Sequence, residues 1–275
     1  MSHRFLVKFW GVRGSIPTPG LENLAYGGNT PCIEVRLPHG EILIIDGGTG
    51  VRQLGLNLVQ SAGEKPLALN FLMTHFHWDH VQGIPFFAPL YSAANEITFY
   101  SGRPAAQLRD ILQGQMTQPY FPVDFNLLAA RRAFEQVHSD GVEFGSVTVR
   151  CFPLHHPQGA FGYRMESHGS VLVHASDREH GHAKLDRVLI EHAQDADVLI
   201  YDAQYTPDEY EHRRGWGHST WLEAARVAKE AGVKQLVLFH HDPSHDDECI
   251  ARITEDARTE FRNTEAAREG MTIEL

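Results

Sequence analysis

The stretch Thr74–His80, THFHWDH, places three histidines and an aspartate within six consecutive positions. It follows the apolar run LALNFLM, whose composition predicts a β-strand. His75 and His77 lie two residues apart, so in an extended backbone both imidazoles project to the same side and can share one metal ion. Asp79 and His80 follow where the chain has to turn, which directs them to a second point close by. Zinc and similar metals accept imidazole and carboxylate ligands, so the stretch predicts a site for two cations.

Further ligands are expected where later strands end, because a catalytic metal usually has three or more protein ligands and keeps one position open for water. Candidates of this kind follow VRCFPL, SVLVHAS and QLVLF, and they are His155, His156, Asp177, His240 and His241. A single histidine at such a place is more often structural than ligating. Several together, in a chain that already carries THFHWDH, favour metal binding over surface histidines without a ligand role.

Short apolar segments rich in β-forming residues run along the whole chain. RFLVKFW, CIEVRL, EILIID and LALNFLM predict strands, RLPHGEILII predicts a hairpin, and VRQLGLNLVQ after a glycine turn predicts a helix. Later strands are predicted at VTVRCFPL, FGYRM, SVLVHAS, DVLIYDA and QLVLFH, with helices near residues 182–193, 219–231 and 246–266. Because we find neither a low-complexity linker nor a repeat, we expect one domain over residues 1–275.

Composition limits the classes of partner. The chain has 35 acidic against 24 basic residues, and the formal charge of −11 disfavours long nucleic acids. Its three cysteines lack CxxC spacing, which argues against a disulfide framework and against a cysteine zinc site. No secretion signal follows Met1 and no apolar run is long enough to span a bilayer, so we expect a cytoplasmic protein without a membrane segment. A homodimer is compatible with this composition.

The chain resembles the metallo-β-lactamase-fold hydrolases. The resemblance rests on GVRGSIPTPG, IIDGGTG, THFHWDH, LHHP, ASDRE, GHST and LFHHD, which together span nearly the whole length. It implies an α/β protein with an αββα sandwich, in which two mixed β-sheets are flanked by helices. It also implies a dinuclear site at one edge of the sheets, and therefore two divalent metal ions, zinc by default with manganese or iron as alternatives.

The resemblance assigns seven positions to the metals. They are His75, His77 and His156 for the first ion, Asp79, His80 and His240 for the second, and Asp177 bridging both. His156 is preferred to His155 because the family's third histidine commonly precedes proline or a small residue. His240 is preferred to His241 because LVLFH matches the family's strand-final pattern.

The segment GWGHSTWLEAARVAKEAGVKQLVLFH is similar to the phosphodiesterase branch that contains tRNase Z and related small phosphodiesterases. In that branch the histidine of GHST protonates the leaving oxygen, and the matching residues here are His218 with the strand-end acid Asp202. A carboxylate that holds an imidazole orients it and stabilises its charged form, which suits a general acid. HST also fits a helix start capped by Ser219 or Thr220, which explains the hydroxyl residues but not the histidine.

The reaction implied by this resemblance is phosphodiester hydrolysis by a hydroxide held between the two cations, with Asp79 and Asp202 among the catalytic groups and His218 as the acid. The chain shows no arm like those that bind tRNA, and FHHDPSHDD replaces the family's HFSxRY-like motif. We therefore expect a compact substrate, with a cyclic nucleotide as the leading candidate. A hydrolase of esters, thioesters or lactams is the alternative, and a non-catalytic metal-binding or sensory module is the third.

Four residues are predicted to contact this substrate. Arg13 and Asn29 lie in the glycine-rich loops GVRGSIP and YGGNTPC, where members of the resembled family approach the site. Tyr120 and Phe121 lie in the long irregular segment Gly114–Leu128, which is either a lid or a packed loop. The hypothesis is that Met116–Phe121 forms a wall or lid over the metal pocket, where Tyr120 or Phe121 stacks on a base.

Overall fold

The computed structural model describes residues 5–275, and within that range fourteen strands form two seven-stranded sheets. The first sheet consists of β1 (Leu6–Gly11), β2 (Cys32–Arg36), β3 (Ile42–Ile45), β4 (Ala68–Leu72), β5 (Glu96–Ser101), β6 (Arg131–Gln136) and β14 (Thr272–Glu274). Its order is β14-β1-β2-β3-β4-β5-β6, with β3 to β6 parallel to one another and the other pairs antiparallel. The sheet is therefore mixed, as predicted.

The second sheet has the same mixed character. It consists of β7 (Val142–Phe144), β8 (Val147–Leu154), β9 (Ala160–Ser167), β10 (Ser170–Ala175), β11 (Val198–Asp202), β12 (Gln235–Phe239) and β13 (Thr264–Ala266). Its order is β13-β12-β11-β10-β9-β8-β7, with β10 to β13 parallel and β7 to β10 joined as antiparallel neighbours.

Seven helices lie in residues 5–275, and the five longer ones cover the outer faces of the two sheets. The seven are α1 (Gly50–Ala62), α2 (Trp78–Val81), α3 (Ala105–Gly114), α4 (Ala183–Ala193), α5 (Pro207–Tyr210), α6 (Trp221–Ala231) and α7 (Asp247–Glu260), with single 3₁₀ turns at Leu21–Asn23, Ile84–Phe86, Ala88–Tyr91 and Phe125–Leu127. None of the helices in residues 5–275 combines the length and the apolar character needed to cross a bilayer.

The core is divided by side-chain alternation along the strands. In β12, Val237 and Phe239 belong to the cluster between the two sheets, whereas Leu236 and Leu238 pack with α4, α6 and α7. A third cluster packs α1 and α3 on the outer face of the first sheet, through residues such as Leu54 and Leu108. Each sheet thus packs on the other sheet with one face and on helices with its other face, which confirms the predicted αββα sandwich.

Most of the predicted elements are present, including the β2–β3 hairpin and the glycine turn into α1. The first predicted strand began at Arg4, which lies outside the described residues. The helix predicted over 246–266 was too long, because α7 ends at Glu260 and Thr264–Ala266 instead pairs with β12. Thr264 donates its hydroxyl to the carbonyl of Phe261, which closes the turn between them. The strands β5, β6, β7, β13 and β14 and the helices α2, α3 and α5 were not predicted.

Candidate metal centre and acid pair

The candidate site lies where strands of both sheets end. THFHWDH follows β4, Asp177 follows β10, Asp202 is the last residue of β11 and His240 follows β12. Asp177 and His240 have φ angles of 61° and 63°, a left-handed conformation uncommon outside glycine, which ends the extended strand at each of these residues. The carboxyl ends of the parallel strands thus converge, and their side chains meet.

The first histidine cluster contains His75, His77 and His156. Nδ1 of His77 lies 3.1 Å from Nε2 of His156, and the His75 ring packs edge-on against both. Nε2 of His75 is buried and has no hydrogen-bond partner. A buried nitrogen without a partner is costly, and a metal ion bound by the three imidazoles would satisfy it.

The second cluster contains Asp79, His80, Asp177 and His240. Nε2 of His240 lies 3.1 Å from Oδ2 of Asp79 and 3.3 Å from Oδ1 of Asp177, and Nε2 of His80 lies 3.2 Å from Oδ2 of Asp177. The same Oδ1 of Asp177 is 3.8 Å from Nε2 of His75, in the first cluster. Asp177 is therefore placed between the two clusters.

Each of these five histidines has its other ring nitrogen held by an oxygen. The partners are Thr74 Oγ1 for His75 (3.2 Å), Gln158 Oε1 for His77 (3.2 Å), Asp46 Oδ2 for His80 (2.8 Å), the Gly217 carbonyl for His156 (2.8 Å) and Gln204 Oε1 for His240 (2.8 Å). Each outer nitrogen donates its proton, so the inner one presents a lone pair to the centre. This is the arrangement by which proteins orient metal-binding histidines.

The charges of these side chains also suit a cation. Burial lowers the pKa of His75 well below its usual value and lowers the pKa of His156 to about 4, so both imidazoles are neutral at neutral pH. Burial opposes ionisation of Asp79 and Asp177, but the neighbouring His80 and His240 outweigh it and hold the pKa of both carboxyls well below the usual range. Neutral imidazole and ionised carboxylate are the forms that bind metals. Burial alone would lower the pKa of His80, but Asp177, Asp79 and Asp46 outweigh it and raise this pKa well above its usual value, so a cation bound there would displace the proton of this ring.

An imidazole–carboxylate pair adjoins the second cluster, and together with Asp177 and His240 it forms a third group whose ligand atoms lie within 4.8 Å of one another. Nδ1 of His218 donates to Oδ2 of Asp202 at 2.9 Å, and the His218 ring stacks on His240 with ring centroids 4.9 Å apart. Burial alone would lower the pKa of His218, but the Asp202 carboxylate outweighs it and raises the pKa to about 9. The imidazolium is therefore the favoured form, which is the form that a general acid needs.

Two alternatives from the sequence are placed outside the clusters. His155, which was not chosen as a metal ligand, donates from Nδ1 to the carbonyl of Glu179 at 3.2 Å. His241, which was not chosen either, donates from Nε2 to the carbonyl of Ala267 at 2.9 Å. The structure thus brings His156 and His240, rather than the residues beside them, to the candidate metal positions.

Arg13 and Asn29 do not point to the clusters. Arg13 is fully buried, and its guanidinium donates to the carbonyls of Gly27, Asp242 and His245 and to Asn23 Oδ1. The side-chain amide of Asn29 donates to the carboxylate of Glu269. Because these donors are already paired within the protein, both side chains hold loops in place, and we no longer assign them to substrate phosphate.

Tyr120 and Phe121 lie in the turn that follows α3. Tyr120 is 75% exposed, and Phe121 packs edge-on against Phe86 with ring centroids 5.7 Å apart. Phe86 lies in the 3₁₀ turn shortly after THFHWDH, so the segment adjoins that part of the chain. The lid role of these two residues stays a prediction.

Three residues that hold ligands were not identified from the sequence. Asp46, at the end of β3, accepts from His80 and also from the backbone and hydroxyl of Thr74. Gln158 and Gln204 accept from His77 and His240. The available signal for Asp46 was an acid at a strand end before GGTG, whereas a lone glutamine in a loop gives none.

Comparison with known proteins agrees with this geometry. The sequence profile of the family described as "Beta-lactamase superfamily domain" matches residues 42–241. Ribonuclease Z of Archaeoglobus fulgidus is 27% identical over 320 aligned positions that cover 98% of each chain. The fold resembles the metallo-beta-lactamase fold protein YhfI from Bacillus subtilis, with a TM-score of 0.75, 19% identity and 100% of both chains covered. It also resembles the short form of human tRNase Z, with a TM-score of 0.67, 19% identity and 98% of both chains covered.

The family profile spans the strand ends that carry Asp46, THFHWDH, Asp177, Asp202 and His240, and it matches well over half of the chain. The chain therefore belongs to the beta-lactamase superfamily domain family and has the metallo-beta-lactamase fold.

Proposed function

We propose that this protein is a metal-dependent phosphodiesterase in which His218 protonates the leaving oxygen. The observation that carries the proposal is the 2.9 Å hydrogen bond from Nδ1 of His218 to Asp202, directly beside the second cluster. Hydrolysis of a carbonyl compound has less need of such an acid pair. Relatives that are named Ribonuclease Z and align along the whole chain support phosphodiester chemistry.

The proposed metal ligands are the residues of the two clusters. His75, His77 and His156 would hold one divalent cation, Asp79, His80 and His240 a second, and Asp177 would contact both. Bound there, the two cations would supply an acidified water and would neutralise charge that develops on the phosphoryl group. Zinc suits these ligands, and manganese and iron accept the same nitrogen and oxygen donors.

The protein's own groups orient the proton transfer. Asp202 holds Nδ1 of His218, so Nε2 carries the transferable proton on the far side of the ring. Asp79 is fixed by the backbone N–H of Ser15, which donates to its Oδ2 at 2.8 Å. When the phosphorus–oxygen bond breaks, the proton of Nε2 passes to the departing alkoxide, and Asp202 stabilises the imidazolium until then.

We propose a compact phosphodiester as the substrate. The formal charge of −11 opposes binding of a long polyanion. The alignment with the Archaeoglobus relative, at 320 positions, is longer than the 275 residues of this chain, so that relative has insertions that this chain lacks. The comparisons give no support to a cyclic nucleotide in particular. RNA is the second candidate, because the whole-length relatives carry the name Ribonuclease Z.

The deciding experiment is a substrate panel with metal-saturated protein. It contains bis(p-nitrophenyl) phosphate, a 3′,5′-cyclic nucleotide, a 3′-extended tRNA and a thioester. Turnover of the artificial diester together with the cyclic nucleotide supports the proposal, and cleavage of the tRNA alone assigns the protein to the second candidate. Turnover of the thioester without any diester contradicts phosphodiesterase activity altogether.

A further inference from the structure

Glu179 follows the bridging residue Asp177 by two positions and has no part in the chemistry described above. The residue is 6% exposed, and its carboxylate accepts three hydrogen bonds. The donors are the backbone N–H of Gly215 at 2.7 Å, the backbone N–H of Gly217 at 2.9 Å and the hydroxyl of Tyr210 at 3.0 Å. All three donors belong to the segment that leads from α5 to His218.

This segment needs an acceptor because it is irregular where it approaches the site. Gly215 and Gly217 have φ angles of 84° and 90°, which side chains other than hydrogen rarely allow. A β-carbon on Gly217 would lie 2.4 Å from Pro157 and 2.5 Å from the ring of His156. The backbone therefore passes directly against a candidate metal ligand, and the Glu179 carboxylate receives the N–H groups that no strand or helix pairs.

The conformation at Gly217 affects two functional side chains. The carbonyl of Gly217 accepts Nδ1 of His156 at 2.8 Å, and the next residue is His218, which pairs with Asp202. The backbone of Glu179 is itself fixed, since its N–H donates to the carbonyl of His155 at 2.7 Å. The side chain of Glu179 thus joins the loop that carries Asp177 to the loop that carries His218.

We propose that Glu179 is a positioning residue that sets the place of the general acid His218. It acts through Gly215 and Gly217 and contacts neither substrate nor metal. The inference rests on the proposed function, because it concerns the acid of that reaction. Displacement of a catalytic group by about 1 Å can cost on the order of 100-fold in rate, so three hydrogen bonds to this loop are enough to matter.

Glu179→Gln tests this role with little change of shape. The amide has one acceptor oxygen in place of two, and its NH₂ group would face a peptide N–H. We expect kcat for a diester with an alkoxide leaving group to fall by about 10- to 100-fold with KM unchanged. Turnover of bis(p-nitrophenyl) phosphate, whose leaving group needs little protonation, should fall by less than about threefold, with two metals retained. In a His218→Ala background the Gln substitution should have no further effect.

The matched control is Glu34→Gln. Glu34, on β2, is 2% exposed, accepts from Trp10 Nε1 at 2.9 Å and pairs with Arg36 Nε at 2.7 Å. Its substitution therefore reports the destabilisation caused by removing a buried, paired carboxylate outside the acid loop. If Glu179→Gln fails to fold, Tyr210→Phe is the second variant, because it removes one donor to the same carboxylate. We expect it to lower turnover of the alkoxide diester more than turnover of bis(p-nitrophenyl) phosphate, by a smaller factor than Glu179→Gln.

Three results would overturn the inference. Equal losses on both diesters would mean that the acid is not the group affected. Loss of metal, with activity restored by excess metal, would mean that Glu179 acts through His156. A metal-loaded wild-type protein inactive on both diesters would overturn the proposed function first, and the role of Glu179 with it.

Discussion

Oδ2 of Asp202 accepts hydrogen bonds from two places at once, from Nδ1 of His218 at 2.9 Å and from the backbone N–H of Asp177 at 3.1 Å. Its other oxygen accepts the backbone N–H groups of Gln204 and Ser219. One fully buried carboxylate therefore fixes the candidate acid relative to the residue placed between the two clusters. The proton-transfer role of His218 and a role in metal binding are distinguished by measuring metal content and leaving-group dependence on the same variant.

His218→Ala should retain both metals and lose activity according to the leaving group. For a diester with an alkoxide leaving group we expect turnover to fall about 10²- to 10⁴-fold, the usual range for a general acid. Bis(p-nitrophenyl) phosphate should be much less affected, because p-nitrophenolate leaves without protonation. Steady-state kinetics on both substrates, with metal analysis of the same samples, checks this. Equal losses with metals intact would assign His218 to holding the substrate phosphate instead.

Asp202→Asn should show the same leaving-group bias more weakly. The variant keeps the shape of the side chain but removes the negative charge that orients Nδ1 of His218 and favours its imidazolium form. A loss smaller than that of His218→Ala on the alkoxide substrate is expected. The double variant should be no worse than His218→Ala alone, and strictly multiplicative losses would show that the two residues act independently.

The metal content should be two divalent ions per chain, and Asp177→Ala should lose at least one of them. Oδ1 of Asp177 lies within 3.8 Å of the inner nitrogens of both His75 and His240, so its removal takes a ligand from each cluster. Elemental analysis after saturation and desalting measures this. Asp208→Ala, an exposed acid on α5, serves as the control and should keep both ions. A wild-type content of one ion or fewer contradicts the dinuclear site.

Gln158→Ala should weaken the first metal position without removing a ligand. The Oε1 atom of Gln158 fixes the ring of His77 by accepting from Nε2 at 3.2 Å. Loss of such a supporting group typically lowers metal affinity by about 10- to 100-fold. Competition with a chelator measures the affinity, with the exposed Gln60→Ala on α1 as the control. Unchanged affinity would mean that His77 is held by its own packing.

The cysteines of the native protein should react slowly with alkylating agents. Burial raises the pKa of the Cys151 thiol to about 11 and also raises the pKa values of Cys32 and Cys249. Because the thiolate is the reactive form, its fraction for Cys151 at pH 8 is on the order of 0.1%, and it grows as the pH rises towards 11. Mass spectrometry of iodoacetamide labelling should show much slower modification than in denaturant. Rapid native labelling of Cys151 at pH 8 would contradict this.

The sequence determined most of the longer strands and helices, and together with the family resemblance it identified the cluster residues. Continuous apolar segments specify strands buried on both faces, as in β12, which packs on the other sheet with one face and on helices with its other face. THFHWDH carries four of the clustered side chains within six consecutive residues, so local spacing was enough to find them. Asp177 could be found because it follows a recognisable strand, whereas the strand ends left His155 or His156 and His240 or His241 open, and the family resemblance chose His156 and His240.

Only the tertiary structure decided which groups hold those side chains. Asp46, Gln158, Gln204 and Glu179 act on histidines or glycines that are 34 to 81 residues away along the chain, and a hydrogen bond over that separation leaves no local pattern. The same reason explains Arg13, whose loop resembled a phosphate contact but whose guanidinium is buried against carbonyls from residues 242 and 245. Periodicity and spacing are local, whereas the pairing of buried polar groups depends on where the folded chain brings its strand ends together.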